Sequence, residues 1–303
     1  MPLGLMPLVL VSLTGAGAVL GDAPSFSSGV ELVNVNVTVR EPGHGFVHDL
    51  RPTDFVVLEN GVPQEIASFT QSEMPVSVAL LLDCSASMTR NIDQLKRASR
   101  RLVDGLGPQD LVEVMSFDRH PTVLQDFTAD RQALDAALSR VRATGDTALH
   151  TALYVTLKEM AGDRDADQRR RRAIVLFSDG EDNVSLVSED SVLAEARRAG
   201  VSIYSVLLSR RATANTEGAR RAQYLLTALA RESGGEAFFP DRPETLNNVF
   251  EAIGDALRSQ YNLGYVPQRA KGGPSWQQIL VSVRRRDVDV RHRLGYYTNT
   301  NAH

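Results

Sequence analysis

Two long apolar segments of the sequence each end on an aspartate. Residues 76–82 are followed by Asp83, and residues 173–178 are followed by Asp179. Continuous apolar runs of this length are typical of strands that are covered on both faces. In an open α/β sheet, ligands bind beyond the carboxyl ends of the central strands. We therefore expect these two carboxylates to lie together at one edge of a sheet.

Hydroxyl side chains accompany the aspartates. Ser85 and Ser87 alternate after Asp83, so that both hydroxyls can point the same way from an extended turn, and Thr147 precedes a predicted helix. Two carboxylates at one edge repel each other unless a cation or protons intervene. A ligand set made of oxygens, some of them neutral, suits Mg²⁺, Mn²⁺ or Ca²⁺ rather than zinc. Taken singly, each motif is also typical of a helix cap.

Strand and helix patterns alternate between residues 76 and 259. Apolar residues at three- and four-residue spacing predict helices after the strands, and two short strands, 111–118 and 122–127, are predicted to be antiparallel to each other. Repeated alternation of strand and helix predicts an α/β fold with a doubly wound, mostly parallel sheet.

The two flanks of this region carry strand patterns alone. Valines alternate over residues 31–40, segments 54–59 and 64–69 surround an Asn60-Gly61 turn typical of a hairpin, and alternation returns after residue 260. Neither flank has enough strands to be stable by itself. We therefore predict that residues 30–72 and 260–298 pair into one smaller β module, with the α/β domain of residues 76–259 inserted between them.

The N-terminal residues predict export. Residues 3–20 are apolar and uncharged, and small residues follow, which is the pattern of a signal peptide over residues 1–23. A retained membrane anchor is the alternative, and it would be the chain's only membrane contact. With a single cysteine, Cys84, an exported chain has no internal disulfide and depends on its core for stability. We expect a periplasmic, cell-envelope or extracellular location.

The charge balance excludes one class of partner. The chain has 33 basic and 37 acidic side chains, and its formal net charge is −4. Binding to nucleic acid requires a concentrated basic surface, so we expect no nucleic-acid partner.

Together, these motifs resemble the metal-ion-dependent adhesion site of the von Willebrand factor type A family. The resemblance lies in Asp83-x-Ser85-x-Ser87, in Thr147 of Gly145-Asp146-Thr147, and in Ser178-Asp179-Gly180. Their order, spacing and strand context match over about residues 76–259. The flanks, with Glu59-Asn60-Gly61 and the closing Gly295-Tyr296-Tyr297, resemble bacterial exported proteins built around such a domain.

The resemblance implies a role for each residue. Ser85, Ser87 and Thr147 would contact the metal through their hydroxyls, and Asp83 and Asp179 would contact it mainly through water. An ion with mostly neutral ligands stays electrophilic, so its open position would take a carboxylate from an Asp or Glu of a protein partner. The implied function is adhesion or assembly without catalysis, with Mg²⁺ as the expected ion. This sequence departs from the family at Thr151, where many bacterial relatives have aspartate.

Two other functions stay open. Paired aspartates beside a metal also suit a metal-dependent hydrolase, although no acid, base or nucleophile is identified in the sequence and His150 is interpreted as a packing residue. A structural envelope protein with a vestigial site is the second alternative. No partner-binding residue is identified, but specificity is expected in the loops around the metal, at residues 89–91, 145–146, 181–188 and 210–218.

Overall fold

The computed structural model describes residues 32–71, 74–162, 170–180, 182–208, 216–240, 242–267 and 275–298. The expected signal peptide of residues 1–23 lies outside these ranges, and so do Glu181 and residues 210–215 of two predicted specificity loops. Within the described ranges, no helix has both the length and the hydropathy needed to cross a bilayer.

The elements follow one another in three groups along the chain. The first group is all strand: β1 Val33–Glu41, β2 Gly45–Phe46, β3 Phe55–Glu59, β4 Val62–Gln64 and β5 Ile66–Gln71. The second group mixes strands and helices: β6 Val76–Asp83, α1 Ile92–Gly105, β7 Leu111–Phe117, β8 Pro121–Thr128, α2 Arg131–Arg140, α3 Leu149–Gly162, β9 Arg171–Ser178, α4 Glu189–Ala199, β10 Ser202–Leu207, α5 Glu217–Ser233, β11 Ala237–Phe238 and α6 Leu246–Arg258. The last group is again all strand: β12 Gln260–Tyr265, β13 Trp276–Val283, β14 Asp289–His292 and β15 Gly295–Tyr297.

The middle group forms a doubly wound sheet. Its 6-stranded sheet has the order β11-β10-β9-β6-β7-β8, in which β8 alone runs antiparallel to its neighbour, as predicted. One apolar cluster packs α1, α2 and α6 on one face, and a second packs α3, α4 and α5 on the other. This explains why β6 and β9 are continuous apolar runs, and it confirms the predicted fold class.

The two flanks combine into a β module. β1 from the N-terminal flank pairs with β12 and β14 from the C-terminal flank, and β3 pairs with β13. The module has a 5-stranded sheet containing β14-β1-β12-β5 and a 4-stranded sheet ordered β15-β13-β3-β4, with one apolar core. The predicted pairing of the flanks in one smaller β module is therefore confirmed.

The predicted hairpin needs a correction. Asn60 and Gly61 have φ of 49° and 81°, as a tight turn requires, and β4 pairs with β3. After Gln64, however, the chain leaves this hairpin, and β5 pairs with β12 in the other sheet. The segment predicted as one strand over residues 64–69 therefore serves both sheets, with exposed Glu65 between β4 and β5.

A buried arginine lies where the chain passes between the two parts of the fold. Arg171 donates from Nε to Met74 O at 3.0 Å, before β6, and from Nη1 to Gln260 Oε1 at 3.0 Å, at the start of β12. These hydrogen bonds offset part of the cost of burying the guanidinium. Through them, Arg171 links the segment that enters the α/β part to the segment that leaves it.

Candidate metal centre

Asp83 is the most deeply buried of the predicted site residues. It ends β6 with 0% exposure; its Oδ1 accepts a hydrogen bond from Ser85 N at 2.9 Å and its Oδ2 accepts one from Ser178 Oγ at 2.6 Å. The pKa of Asp83 is raised to about 6, chiefly by burial; the charge of nearby Asp179 also raises this pKa, whereas the hydrogen bonds from Ser178 and Ser85 act in the opposite direction. This carboxylate is therefore held in place in an environment that favours a bound cation.

Asp179 follows the neighbouring strand, since β9 pairs directly with β6. Its Oδ1 is buried and has no hydrogen-bond partner among the described residues. Leaving a buried acceptor unsatisfied costs about 1–3 kcal/mol. A cation or its bound water at this position would remove that penalty, so the geometry fits a metal centre.

The two serines come next in the turn after β6. Ser85 is 1% exposed, and its Oγ lies 2.9 Å from Ser87 Oγ. The turn is fixed to a second segment, because Ala86 N donates to Gly145 O at 3.0 Å and Thr144 N donates to Cys84 O at 2.5 Å. The structure thus brings both hydroxyls together and ties them to the segment that leads to Thr147.

Thr147 is 2% exposed and is held by the chain that follows Asp179. Its N–H donates to Asn183 Oδ1 at 3.0 Å, while Asn183 N donates back to Thr147 O at 3.1 Å. The three predicted segments of the site are therefore connected to one another by direct hydrogen bonds. Among the described residues, Asn183 joins Thr147 to the segment after Asp179.

The segment after Asp179 also caps α3. Asp182 Oδ2 accepts from His150 N at 2.8 Å, and Ser185 Oγ accepts from Thr151 N at 3.1 Å. These first-turn amides have no acceptor within their own helix, so acceptors from another segment satisfy them. Thr151 Oγ1 in turn accepts from Leu186 N at 3.3 Å. Thr151 therefore helps to hold the segment of residues 182–186, which we call the 182–186 loop.

His150 and Asp182 form a close pair of ionisable side chains beside the site. His150 Nδ1 lies 3.2 Å from Asp182 Oδ2. They do not extend to a larger cluster, because no group of three or more His, Cys, Asp or Glu side chains suited to a metal occurs in the described ranges. A cation at this edge would therefore depend on Asp83, Asp179 and the neutral hydroxyls, as the donor set of a hard metal ion requires.

The sequence did not reveal the positioning roles of three residues of the site. Ser178 links the two strand ends, Asn183 holds Thr147, and Asp118 accepts from Thr144 Oγ1 at 3.1 Å. Asp118 had a usable signal, since it follows the buried strand β7 directly, much as Asp83 lies at the end of the buried strand β6. Cys84 is no candidate for chemistry, because burial raises the pKa of its thiol to about 12.

Comparison with known proteins finds similarities for the α/β part of the chain. Residues 78–181 match the family model of the von Willebrand factor type A domain. A solved von Willebrand factor type A structure from Catenulispora acidiphila superposes with a TM-score of 0.51 at 13% identity, covering 90% of this chain and 75% of that one. This likeness shows the fold alone.

Two further similarities extend the comparison. A UPF0353 protein of Mycolicibacterium paratuberculosis is 25% identical over 224 residues, 67% of this chain, and the match spans 64% of that relative's length. The vWF domain of the type V pili tip protein Mfa5 from Porphyromonas gingivalis has a TM-score of 0.49 at 14% identity, covering 61% of this chain and 95% of that one.

Proposed function

We propose that the von Willebrand factor type A domain of this chain binds a divalent cation, Mg²⁺ first among the candidates, and uses it to capture a carboxylate on a protein partner. The observation that supports this most is the buried Oδ1 of Asp179, which lacks a partner among the described residues beside a second buried carboxylate, Asp83. Two carboxylates at neighbouring strand ends repel each other unless a cation or protons intervene, and a cation bound between them would stabilise both in their charged form.

In this proposal, the hydroxyl side chains coordinate the ion directly and the two carboxylates supply negative charge. Ser85, Ser87 and Thr147 would hold the ion through neutral hydroxyls, while Asp83 and Asp179 would act mainly through bound water. A divalent ion held there would supply an electrophilic position for an anionic oxygen of the partner. Ser178 and Asn183 keep the carboxylate and the threonine in place, which lowers the cost of ordering the site when the metal binds.

The proposal is tested by capturing partners from the native cell envelope. Immobilised protein should retain a partner in Mg²⁺, release it in EDTA and recover it when Mg²⁺ is restored. Ser85→Ala should lose the partner, whereas Ser282→Ala, which changes an exposed serine of β13 in the β module, should not. If the immobilised protein retained the partner equally well in EDTA, metal dependence would be contradicted, and a structural envelope protein with a vestigial site would be favoured.

A metal-dependent hydrolase remains the second candidate, and the His150–Asp182 pair is the feature that favours it. Asp182 already has a structural task, because its Oδ2 accepts from His150 N and its Oδ1 accepts from Ser185 N at 3.1 Å. We therefore expect phosphatase, esterase and peptidase assays to stay at background with Mg²⁺ or Mn²⁺. Turnover that disappears in Asp83→Asn would overturn the binding function.

The proposed place of action is outside the cytoplasm. The apolar, uncharged residues 3–20 followed by small residues support export with removal of residues 1–23. Mass spectrometry of the protein isolated from its native cells should show a chain that begins at or near Pro24. A full-length chain in the soluble cytoplasmic fraction would contradict export.

A further inference from the structure

Leu186 is held out into solvent beside the candidate metal centre. Its exposed fraction is 97%, whereas the next most exposed large apolar residue in the described ranges, Tyr224, reaches 74%. Exposed apolar residues are common singly and need no explanation in general. Leu186 differs because the residue that follows it, Val187, packs against the core, so the chain is anchored directly beside it.

The backbone that carries Leu186 is fixed by hydrogen bonds on both sides. Leu186 N donates to Thr151 Oγ1 at 3.3 Å, and its neighbour Ser185 accepts from Thr151 N at 3.1 Å and donates from its own amide to Asp182 Oδ1 at 3.1 Å. A side chain presented on an ordered loop loses little backbone entropy when a partner covers it. The loop therefore presents an apolar contact in advance of binding.

The same loop also positions the metal centre. Asn183 within it holds Thr147, and its first residue, Asp182, follows Asp179 at a distance of only three positions in the chain. A partner whose carboxylate reaches the strand ends therefore passes beside the 182–186 loop. Covering Leu186 would remove apolar surface from water and add to the affinity that the carboxylate supplies.

We propose that Leu186 is a specificity-determining contact of the partner interface, and that the partner segment carries an apolar side chain next to its metal-binding Asp or Glu. This inference rests on the proposed function, since it assigns the partner's chemistry at the same site. The inference predicts two separable requirements of the partner segment. It must offer a carboxylate that binds at the metal centre, and it must carry an adjacent Leu, Ile, Met or Phe that contacts Leu186.

The test uses an array of immobilised synthetic peptides in which a central Asp or Glu is flanked by each of the amino acids in turn. With Mg²⁺ present, the wild-type protein should bind acidic peptides with an apolar neighbour about tenfold better than those with a Gly or Ser neighbour. Leu186→Ser should lose this preference while it still discriminates Asp from Asn. Leu280→Ser, which removes a 52% exposed leucine from β13 of the β module, is the matched control and should retain the preference.

Each outcome decides a different claim. Asp- and Mg²⁺-dependent binding without preference for an apolar neighbour, or a preference that survives Leu186→Ser, would overturn the inference and leave the proposed function intact. An absence of any Mg²⁺-dependent preference for Asp over Asn would overturn both. Because Leu186 makes almost no side-chain contact, the thermal midpoint of Leu186→Ser should equal that of the wild type, which excludes misfolding as the cause of lost binding.

Discussion

Asn183 and Thr147 hold each other by reciprocal hydrogen bonds, with Thr147 N donating to Asn183 Oδ1 at 3.0 Å and Asn183 N donating to Thr147 O at 3.1 Å. The two residues come from different segments of the site, one before α3 and one after β9. Their contact sets where Thr147 lies relative to Asp179. The position of a proposed metal-binding hydroxyl thus depends on an amide that would not contact the metal.

Removing this amide should weaken metal binding without unfolding the domain. We expect Asn183→Ala to lower Mg²⁺ or Mn²⁺ affinity by about tenfold, the usual effect of losing a residue that orients a metal-binding residue. Isothermal titration calorimetry measures the change. Asn248→Ala, at an exposed position of α6, is the control and should keep the wild-type affinity. Equal affinities in both variants would show that Asn183 does not position the site.

Gly180 is predicted to be intolerant of any side chain. Its φ of +85° favours glycine, and a Cβ there would lie 2.4 Å from Leu207 Cδ1 and 2.8 Å from Ala222 Cβ. We expect Gly180→Ala to lose about 2–4 kcal/mol of unfolding free energy in urea titrations. Gly218→Ala, where a Cβ meets nothing within 4 Å, should change stability by less than about 1 kcal/mol. Similar stabilities for the two variants would refute the close packing behind Asp179.

Glu113 should make the stability of the domain depend on pH. This residue of β7 is 5% exposed; its pKa is raised from 4.5 to about 7, chiefly by burial and also by the charges of Glu159 and Asp126. Because the folded protein binds this proton more tightly than the unfolded chain does, its stabilising contribution is complete below pH 4.5 and is lost as the pH rises towards 7.

The variant Glu113→Gln should remove that loss. At pH 8 it should be more stable than the wild type by on the order of 2 kcal/mol, and near pH 4 the difference should be small. Urea unfolding at the two pH values gives both numbers. Glu65→Gln, at an exposed position between β4 and β5, should follow the wild-type pH profile. A parallel pH profile in Glu113→Gln would show that Glu113 is not responsible.

The β module should depend on both ends of the chain. β12 lies between β1 and β5 in the sheet and is buried along its whole length. A chain that stops at residue 259 leaves β1 and β5 without their shared partner, so we expect it to aggregate through unpaired strand edges. A fragment of residues 76–259 should stay monomeric in size-exclusion chromatography. Cooperative folding of residues 30–72 alone would refute the shared module.

The sequence predicted the elements that have one strong pattern. The buried strands β6 and β9 could be recognised in the sequence because helices cover both of their faces, so that most of their side chains are apolar. Helix α2 was not predicted, since it is short and buries only Leu134, Ala137 and Leu138. Its cap was the missed signal, because Asp130 Oδ1 accepts from Gln132 N at 2.9 Å and from Ala133 N at 3.2 Å.

Contacts between segments that are distant in the chain could not be predicted from the sequence. The alternation of residues 64–69 fits either sheet of the β module, so it could not show that β5 leaves the hairpin of β3 and β4. The contacts of Asn183 and Ser178 join residues far apart in the chain, and no local spacing encodes them. The five proposed metal-binding residues were predicted from two strand ends and one helix start, but the residues that hold them in place could be found only from the fold.

The most direct test is calorimetric titration of the purified protein with Mg²⁺ and with Mn²⁺. We expect a single site in the wild type, an affinity strongly reduced in Asp83→Ala and Thr147→Ala, and an unchanged affinity in Ser282→Ala. Hydrated Mg²⁺ surrenders water reluctantly, so the wild-type affinity should be modest and Mn²⁺ should bind more tightly. A wild-type protein that binds neither ion, or an Asp83→Ala variant that binds as tightly as the wild type, would contradict a metal centre at these strand ends.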